Sequence, residues 1–176
     1  MGGGTGTFTV LSGLKHYPVH LTAIVTMSDS GGSTGVLRDE LGVLPPGDVR
    51  QCLVALSESD QLVRDLMNYR FVEGNLKGHS FGNLFLSALE KVTGSFDAAV
   101  EKASELLRVH GNVLPVTLDD VTLVAYLSNG SALRGEGVID KASLRGLKEI
   151  ALEPRARANK KALKAIHDAD AIVIGP

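Results

Sequence analysis

The sequence predicts a single α/β domain with a mainly parallel sheet. Three features carry that expectation. Apolar, β-branched runs alternate with stretches of helical periodicity, and glycine clusters stand at the junctions. The third is size: 176 residues, 44% hydrophobic and 22% charged, suffice for one sizeable core. The glycine is unevenly spread. The chain has 20, about 11% against about 7% in average usage. Gly2, Gly3, Gly4, Gly6, Gly13, Gly31, Gly32 and Gly35 all fall in the first 35 residues. Two specific loops, not general flexibility, account for the excess.

Taken in order, Phe8, Leu11 and Leu14 lie three apart and predict a helix over residues 7–16, directly after the first glycine cluster. Residues 19–27 (VHLTAIVTM) follow Pro18 and end in SDSGGSTG, a strand running into a glycine loop. Pro45-Pro46-Gly47-Asp48 breaks the chain. Val49, Cys52, Leu53 and Leu56 then take the i, i+3, i+4, i+7 positions of an amphipathic helix, with Asp48 placed as its N-cap and Cys52 in its core stripe. Further helices are expected over 61–69, over 80–92 with Gly94 as the stop, and over 95–110 with Asp97 in the first turn and Gly111 at the end. Residues 121–127 (VTLVAYL) read as a buried strand before a turn at Asn129-Gly130. Residues 147–152 read as a weaker strand, 158–168 as a short helix and 171–174 as a short buried strand. Both ends read as cut, so the domain over 1–176 is expected to be incomplete. Only Met1 precedes a loop that a strand normally launches, and nothing follows AIVIGP to cover it.

Eighteen Lys and Arg against 20 Asp and Glu give a net charge of −2, and there is no Trp. That balance lacks the basic footprint and stacking platforms of a nucleic-acid binder. A lone Cys52 cannot make an internal disulfide, and the N-terminus has neither a basic n-region nor a long apolar h-region, so a cytoplasmic location is expected. No apolar run approaches the roughly 18 residues a membrane span needs. Oligomeric state stays open, a homo-oligomer included.

Gly2-Gly3-Gly4-Thr5-Gly6 sits where a helix should begin, and glycine there permits positive φ and close approach of a phosphate to backbone N–H groups. It is no Walker loop, lacking Gly-Lys-Ser/Thr, and Thr9 occupies the last glycine position of G-x-G-x-x-G. A tight turn packing helix on sheet is the alternative. Asp29 lies 25 residues after Gly4, where a dinucleotide fold presents an acid to a ribose. It suits equally an Asx turn, or Mg²⁺ held through water against a diphosphate.

Gly31-Gly32-Ser33-Thr34-Gly35 also matches the G-x-S-x-G nucleophile elbow, for which Asp119 or Asp140 and His167 stand in the right chain order. The hydroxyl-rich loop suits a second anion cradle better. His79 and Asn83 share a face at a helix start, where the dipole favours an anion, although a solvated polar start fits them too. Asp48 reads first as a cap. Arg155, Arg157, Lys160, Lys161 and Lys164 form a basic segment, either a solvated face or a contact for a diphosphate or a protein partner.

The blocks GGGTG, MSDSGGSTGVLRDE, PPGDVRQCLVAL, GHSFGNLFL and EPRARANKKALKAIHDADAIVIGP resemble, in order, the gluconeogenesis factor (YvcK-like) family, which belongs with the 2-phospho-L-lactate transferases (CofD). Members of that family are longer, with a strand before GGGTG and further chain after the final Gly-Pro. The resemblance implies a three-layer Rossmann-like core with ligands along the glycine loops. In the transferase branch, a phospholactyl group moves from a guanosine diphosphate derivative to a deazaflavin alcohol with Mg²⁺, and an aspartate pair stands where this chain has Ser28-Asp29-Ser30. One carboxylate remains here, so the pattern looks closer to the YvcK-like branch. Its members are similar to regulators that bind UDP-sugars such as UDP-N-acetylglucosamine and influence carbon partition, peptidoglycan precursor supply and cell shape. By motif, the resemblance places the ligand on Gly3, Gly4, Thr5, Gly6, Asp29, Ser30, Gly31, Gly32, Asp48, His79 and Asn83. Asp29 is its metal-holding residue if Mg²⁺ accompanies a diphosphate, and no residue is assigned to catalysis.

Overall fold

The computed structural model describes residues 1–175. The chain runs α1 (Gly4–Leu14), β1 (Thr22–Val25), α2 (Gly32–Leu41), α3 (Gly47–Leu56), α4 (Gln61–Asn68), α5 (Phe81–Thr93), α6 (Phe96–Leu106) and β2 (Asn112–Pro115). It continues through β3 (Thr122–Leu127), β4 (Ala132–Arg134), α7 (Glu136–Ile139), β5 (Leu147–Glu153) and α8 (Lys160–His167). The architecture is mixed α/β, with helices α2–α6 between β1 and β2.

Helix α3 is the centre. Val49, Cys52, Leu53 and Leu56, at the helical spacing anticipated for them, are fully buried, and the helix touches α1, α4, α5, α6, β1 and β2. Ala23, Val25 and Met27 of the first strand region and Val113 of β2 close the same core, joined by Leu86, Phe96, Val100 and Ala103 from α5 and α6. Burying side chains of this size contributes about 1.5–3 kcal/mol each, which is what holds three turns of helix inside the molecule.

Strands β1 and β2 pair in parallel, with Thr22 opposite Asn112 and Val25 opposite Pro115. On the other side of β1, Gly2 bridges Val25 in parallel, donating to Ile24 O at 3.0 Å and accepting from Thr26 N at 3.2 Å. The first residue of the glycine loop therefore occupies a strand position. Beyond it, Met1 N donates to Val173 O at 2.5 Å and Gly175 N to Met1 O at 2.7 Å, the slanted pair of a parallel ladder. Residues 171–174 thus lie alongside the sheet, but they are not the buried strand expected: Ile174 is 81% exposed.

The expectation of a mainly parallel sheet needs correction. Strand β3 pairs antiparallel with both β4 and β5, in a three-stranded sheet ordered β4-β3-β5 and separate from β1-β2. The cause was visible at Asn129-Gly130. A parallel return needs a crossover of a dozen or more residues, whereas a tight turn allows only a hairpin. Strand β2 was missed because Pro115 reads as a breaker. At the strand end, the ladder continues through Val116 N to Val25 O at 2.8 Å, so the missing proline donor costs nothing.

Candidate functional site

Two helix starts and one acidic cluster meet at the C-terminal side of β1. Helix α1 begins at Gly4, φ +66°, and α2 at Gly32, φ +45°. A Cβ at either would meet nothing within 4 Å, so the positive φ, and not crowding, selects glycine there and leaves open space before each first turn. Gly3 is different. Its backbone is extended, and a Cβ on it would lie 2.1 Å from Asp48 Oδ2 and 2.5 Å from Thr26 Oγ1. Gly47 is held likewise between Thr34 Oγ1 and Asp29 Oδ2.

Asp48 is not the N-cap of α3. It lies in the first turn, and Pro46 takes the cap position without a side-chain bond. The Asp48 carboxylate reaches across to α1, accepting from Gly4 N at 2.8 Å and from Thr26 Oγ1 at 3.1 Å. An internal carboxylate therefore already uses one amide of the glycine loop. Thr5 and Gly6, next in the same turn, have no backbone acceptor among the described residues, as any helix start leaves its first amides. Asp29 Oδ1 accepts from Gly31 N at 2.8 Å, so the Asx-turn role is present. Ser30 Oγ accepts from Gly137 N at 3.4 Å, which brings α7 onto this loop.

That contact delivers a carboxylate the sequence reading missed. Glu136 sits beside Asp29, and its carboxyl is raised to about 7, first by partial withdrawal from water and then by the negative charges of Asp29 and Asp48. Burial and Asp29 push Asp48 upward too, against the hydrogen bond from Gly4. The signal was Gly135-Glu136-Gly137, an acid flanked by two glycines. A Cβ on Gly135 would lie 2.9 Å from Ser30 Oγ.

Because the folded carboxyl of Glu136 titrates above its ordinary 4.5, its protonated form is favoured by folding. Its contribution is complete below pH 4.5 and is lost as pH climbs to about 7. Glu136→Gln is therefore expected to flatten the fall in stability across that window, by about 1 kcal/mol after solvent screening. Urea titrations from pH 4 to pH 8 check it; equal slopes in both proteins contradict the assignment.

Asn83 departs from the solvated reading offered for it. It is neither solvated nor aimed at open space. It is 3% exposed and its Oδ1 accepts from Arg50 Nε at 3.0 Å, while Ser80 Oγ caps the helix through Asn83 N at 3.2 Å. Arg50, 8% exposed and also bonded to Asn68 Oδ1, was missed because it lies off the apolar stripe of α3, where an arginine reads as solvated. His79 precedes α5, and its Nδ1 lies 3.0 Å from Ser33 Oγ in the second glycine loop.

The hydrolase arrangement suggested by chain order is not assembled. Asp119 is engaged by Arg157, at 2.6 Å, and His167 faces Asp168 at 3.0 Å. The basic segment is largely neutralised, since Lys161 pairs with Asp97 at 2.6 Å and Lys164 with Asp168 at 2.5 Å. Two hollows of about 210 and 120 Å³ lie against residues 173–175, the first touching the site only through Thr26.

Carboxylate oxygens suit a hard divalent cation. Among the described residues, however, no three His, Cys, Asp or Glu side chains are placed to hold one ion. Mg²⁺ is commonly held by one or two carboxylates with water and phosphate oxygens, a shell that Asp29 with a bound diphosphate fits.

The family model for 2-phospho-L-lactate transferase CofD matches residues 1–176. A gluconeogenesis factor of Bacillus subtilis is 46% identical over 177 residues, covering 99% of this chain and 56% of its own. A relative from Thermoanaerobacterium thermosulfurigenes is 52% identical over 180 residues, covering all of this chain and again 56% of its own. The crystal structure of a UPF0052-family protein from Bacillus halodurans superposes with a TM-score of 0.93 at 45% identity, covering 99% of this chain and 56% of that one. The chain thus spans between about two fifths and little more than half the length of the relatives it matches. Among the described residues no helix is long and apolar enough to cross a membrane. With the family model matched along the whole chain, and the gluconeogenesis factors matched along nearly all of it, this protein belongs to the CofD family, on its gluconeogenesis factor (UPF0052) side.

Proposed function

We propose that the chain carries the nucleotide-sugar site of a cytoplasmic regulatory protein that binds a UDP-N-acetylglucosamine-like ligand and acts on carbon partition, cell wall precursor supply and cell shape. The observation that supports this most is the convergence of two helix starts, at Gly4 and Gly32, on Asp29 and Asp48. Amides at helix N-termini attract phosphate, and two of them match the two phosphates of a diphosphate. The acids oppose an anion unless a cation or a proton intervenes. Mg²⁺ on Asp29 and a protonated Glu136 each lower that repulsion, and the regulatory role rests on binding the ligand. The three-layer Rossmann-like core belongs to the same proposal.

Asp29→Ala is the test. Losing the bond to Gly31 N costs about 1 kcal/mol of stability, while affinity for UDP-N-acetylglucosamine with Mg²⁺ is expected to fall at least tenfold by titration calorimetry. A loss of stability with affinity unchanged leaves Asp29 only its turn role. The family description favours a second reading, a Mg²⁺-dependent phospholactyl transferase, for which Asp29 would hold the ion against a diphosphate. Mg²⁺-dependent release of a nucleoside phosphate in the presence of an alcohol acceptor distinguishes it.

A further inference from the structure

The Ser33 hydroxyl and His79 Nδ1 are 3.0 Å apart, partly buried, and neither side chain has another hydrogen-bond partner among the described residues. The two come from distant parts of the chain. Ser33 is the second residue of α2, and His79 is delivered by the hairpin that Phe71 N closes on His79 O at 2.9 Å and Gly78 N on Phe71 O at 2.8 Å. Beside Ser33, Gly32 faces open space, whereas Gly35 is pressed on Ser30, its Cβ position 2.5 Å from Ser30 O. The loop is thus rigid behind the serine and open in front of it. A hydroxyl within hydrogen-bond reach of an imidazole nitrogen, on the accessible side of a strand-to-helix turn, is the nucleophile–base contact of an activated serine, without, among the described residues, the third group that orients the base in a triad.

We propose that Ser33 is a nucleophile toward phosphate esters, with His79 as its general base. The substrate class rests on the nucleotide-sugar reading: a nucleoside diphosphate ester across the two helix starts places a phosphorus atom before Ser33. Ser33 Oγ attacks the sugar-bearing phosphorus and forms an O–P bond. The bond from that phosphorus to the bridging oxygen breaks, and its electron pair leaves with the nucleoside monophosphate. The hydroxyl proton passes to His79 Nδ1 and from there to the departing phosphate. The product is a seryl phosphodiester of the sugar, with atoms and charge balanced.

A fluorophosphonate probe tests the nucleophile independently of nucleotide. Its phosphorus loses fluoride to an activated serine, and peptide mapping by mass spectrometry locates the adduct. The expected result is one adduct on Ser33, absent in Ser33→Ala and formed at least tenfold more slowly in His79→Asn, whose fold is checked by circular dichroism. Labelling of Ser33 no faster than of other serines in the unaltered chain overturns the proposal, whatever the variants do. An unchanged rate in a folded His79→Asn protein overturns the base. If Ser33 labels but UDP-N-acetylglucosamine does not slow it, the nucleophile stands and the nucleotide reading falls. Nucleotide binding without Ser33 labelling gives the converse.

Discussion

Gly3→Ala is expected to lower stability by about 1–3 kcal/mol, the usual cost of forcing a methyl group into a filled position. The conformation of Gly3 suits any residue, so the penalty is purely steric. The added carbon would stand 2.1 Å from Asp48 Oδ2 and 2.7 Å from its Cγ. Asp48 must then turn away, which releases Gly4 N and Thr26 Oγ1 together. Because that carboxylate ties α3 to the start of α1, ligand affinity should fall with stability. Thermal unfolding with calorimetry checks both, and a variant with unchanged stability contradicts the close packing of Gly3 on Asp48.

Asn83→Ala is expected to cost about 2–3 kcal/mol, since it strips an acceptor from a buried guanidinium. Burial and the neighbouring Arg70 already work against the Arg50 charge, with Asp48 the opposing attraction. Arg50 keeps only the Asn68 oxygen among its side-chain partners. The capping bond is spared, because Ser80 receives the Asn83 backbone amide, not its side chain. Ligand affinity, measured well below the unfolding temperature, should change less than twofold. A large loss of affinity with little loss of stability would return Asn83 to the ligand.

Periodicity located what depends on local spacing. The stripe of α3, the Gly94 stop of α5 and the helix after the first glycine cluster all follow from side chains within one or two turns. Strand direction does not follow from such spacing. VTLVAYL has the apolar run of a parallel strand, yet the Asn129-Gly130 turn makes its partner antiparallel. The site divided in the same way. Glycines that must begin a helix or admit a neighbour were visible in GGGTG and SGGSTG, and the structure brings both loops to Asp29 and Asp48. Glu136 and the Ser33–His79 pair are joined to the site across 107 and 46 residues. No periodicity spans such distances; only the hairpin carrying His79 and the β4-α7 connection create them. A polar residue at a helix start suits a ligand, water or a buried arginine equally, and only Arg50, from another helix, takes Asn83 away from water.

The central claim is that two helix starts face one diphosphate. Amide chemical shifts test it most directly, in ¹⁵N-labelled chain of the relatives' full length titrated with UDP-N-acetylglucosamine and Mg²⁺. The largest changes are expected at Thr5, Gly6, Gly32 and Ser33, rising together with one binding constant. Shifts confined to one loop, or to residues away from both, would contradict it.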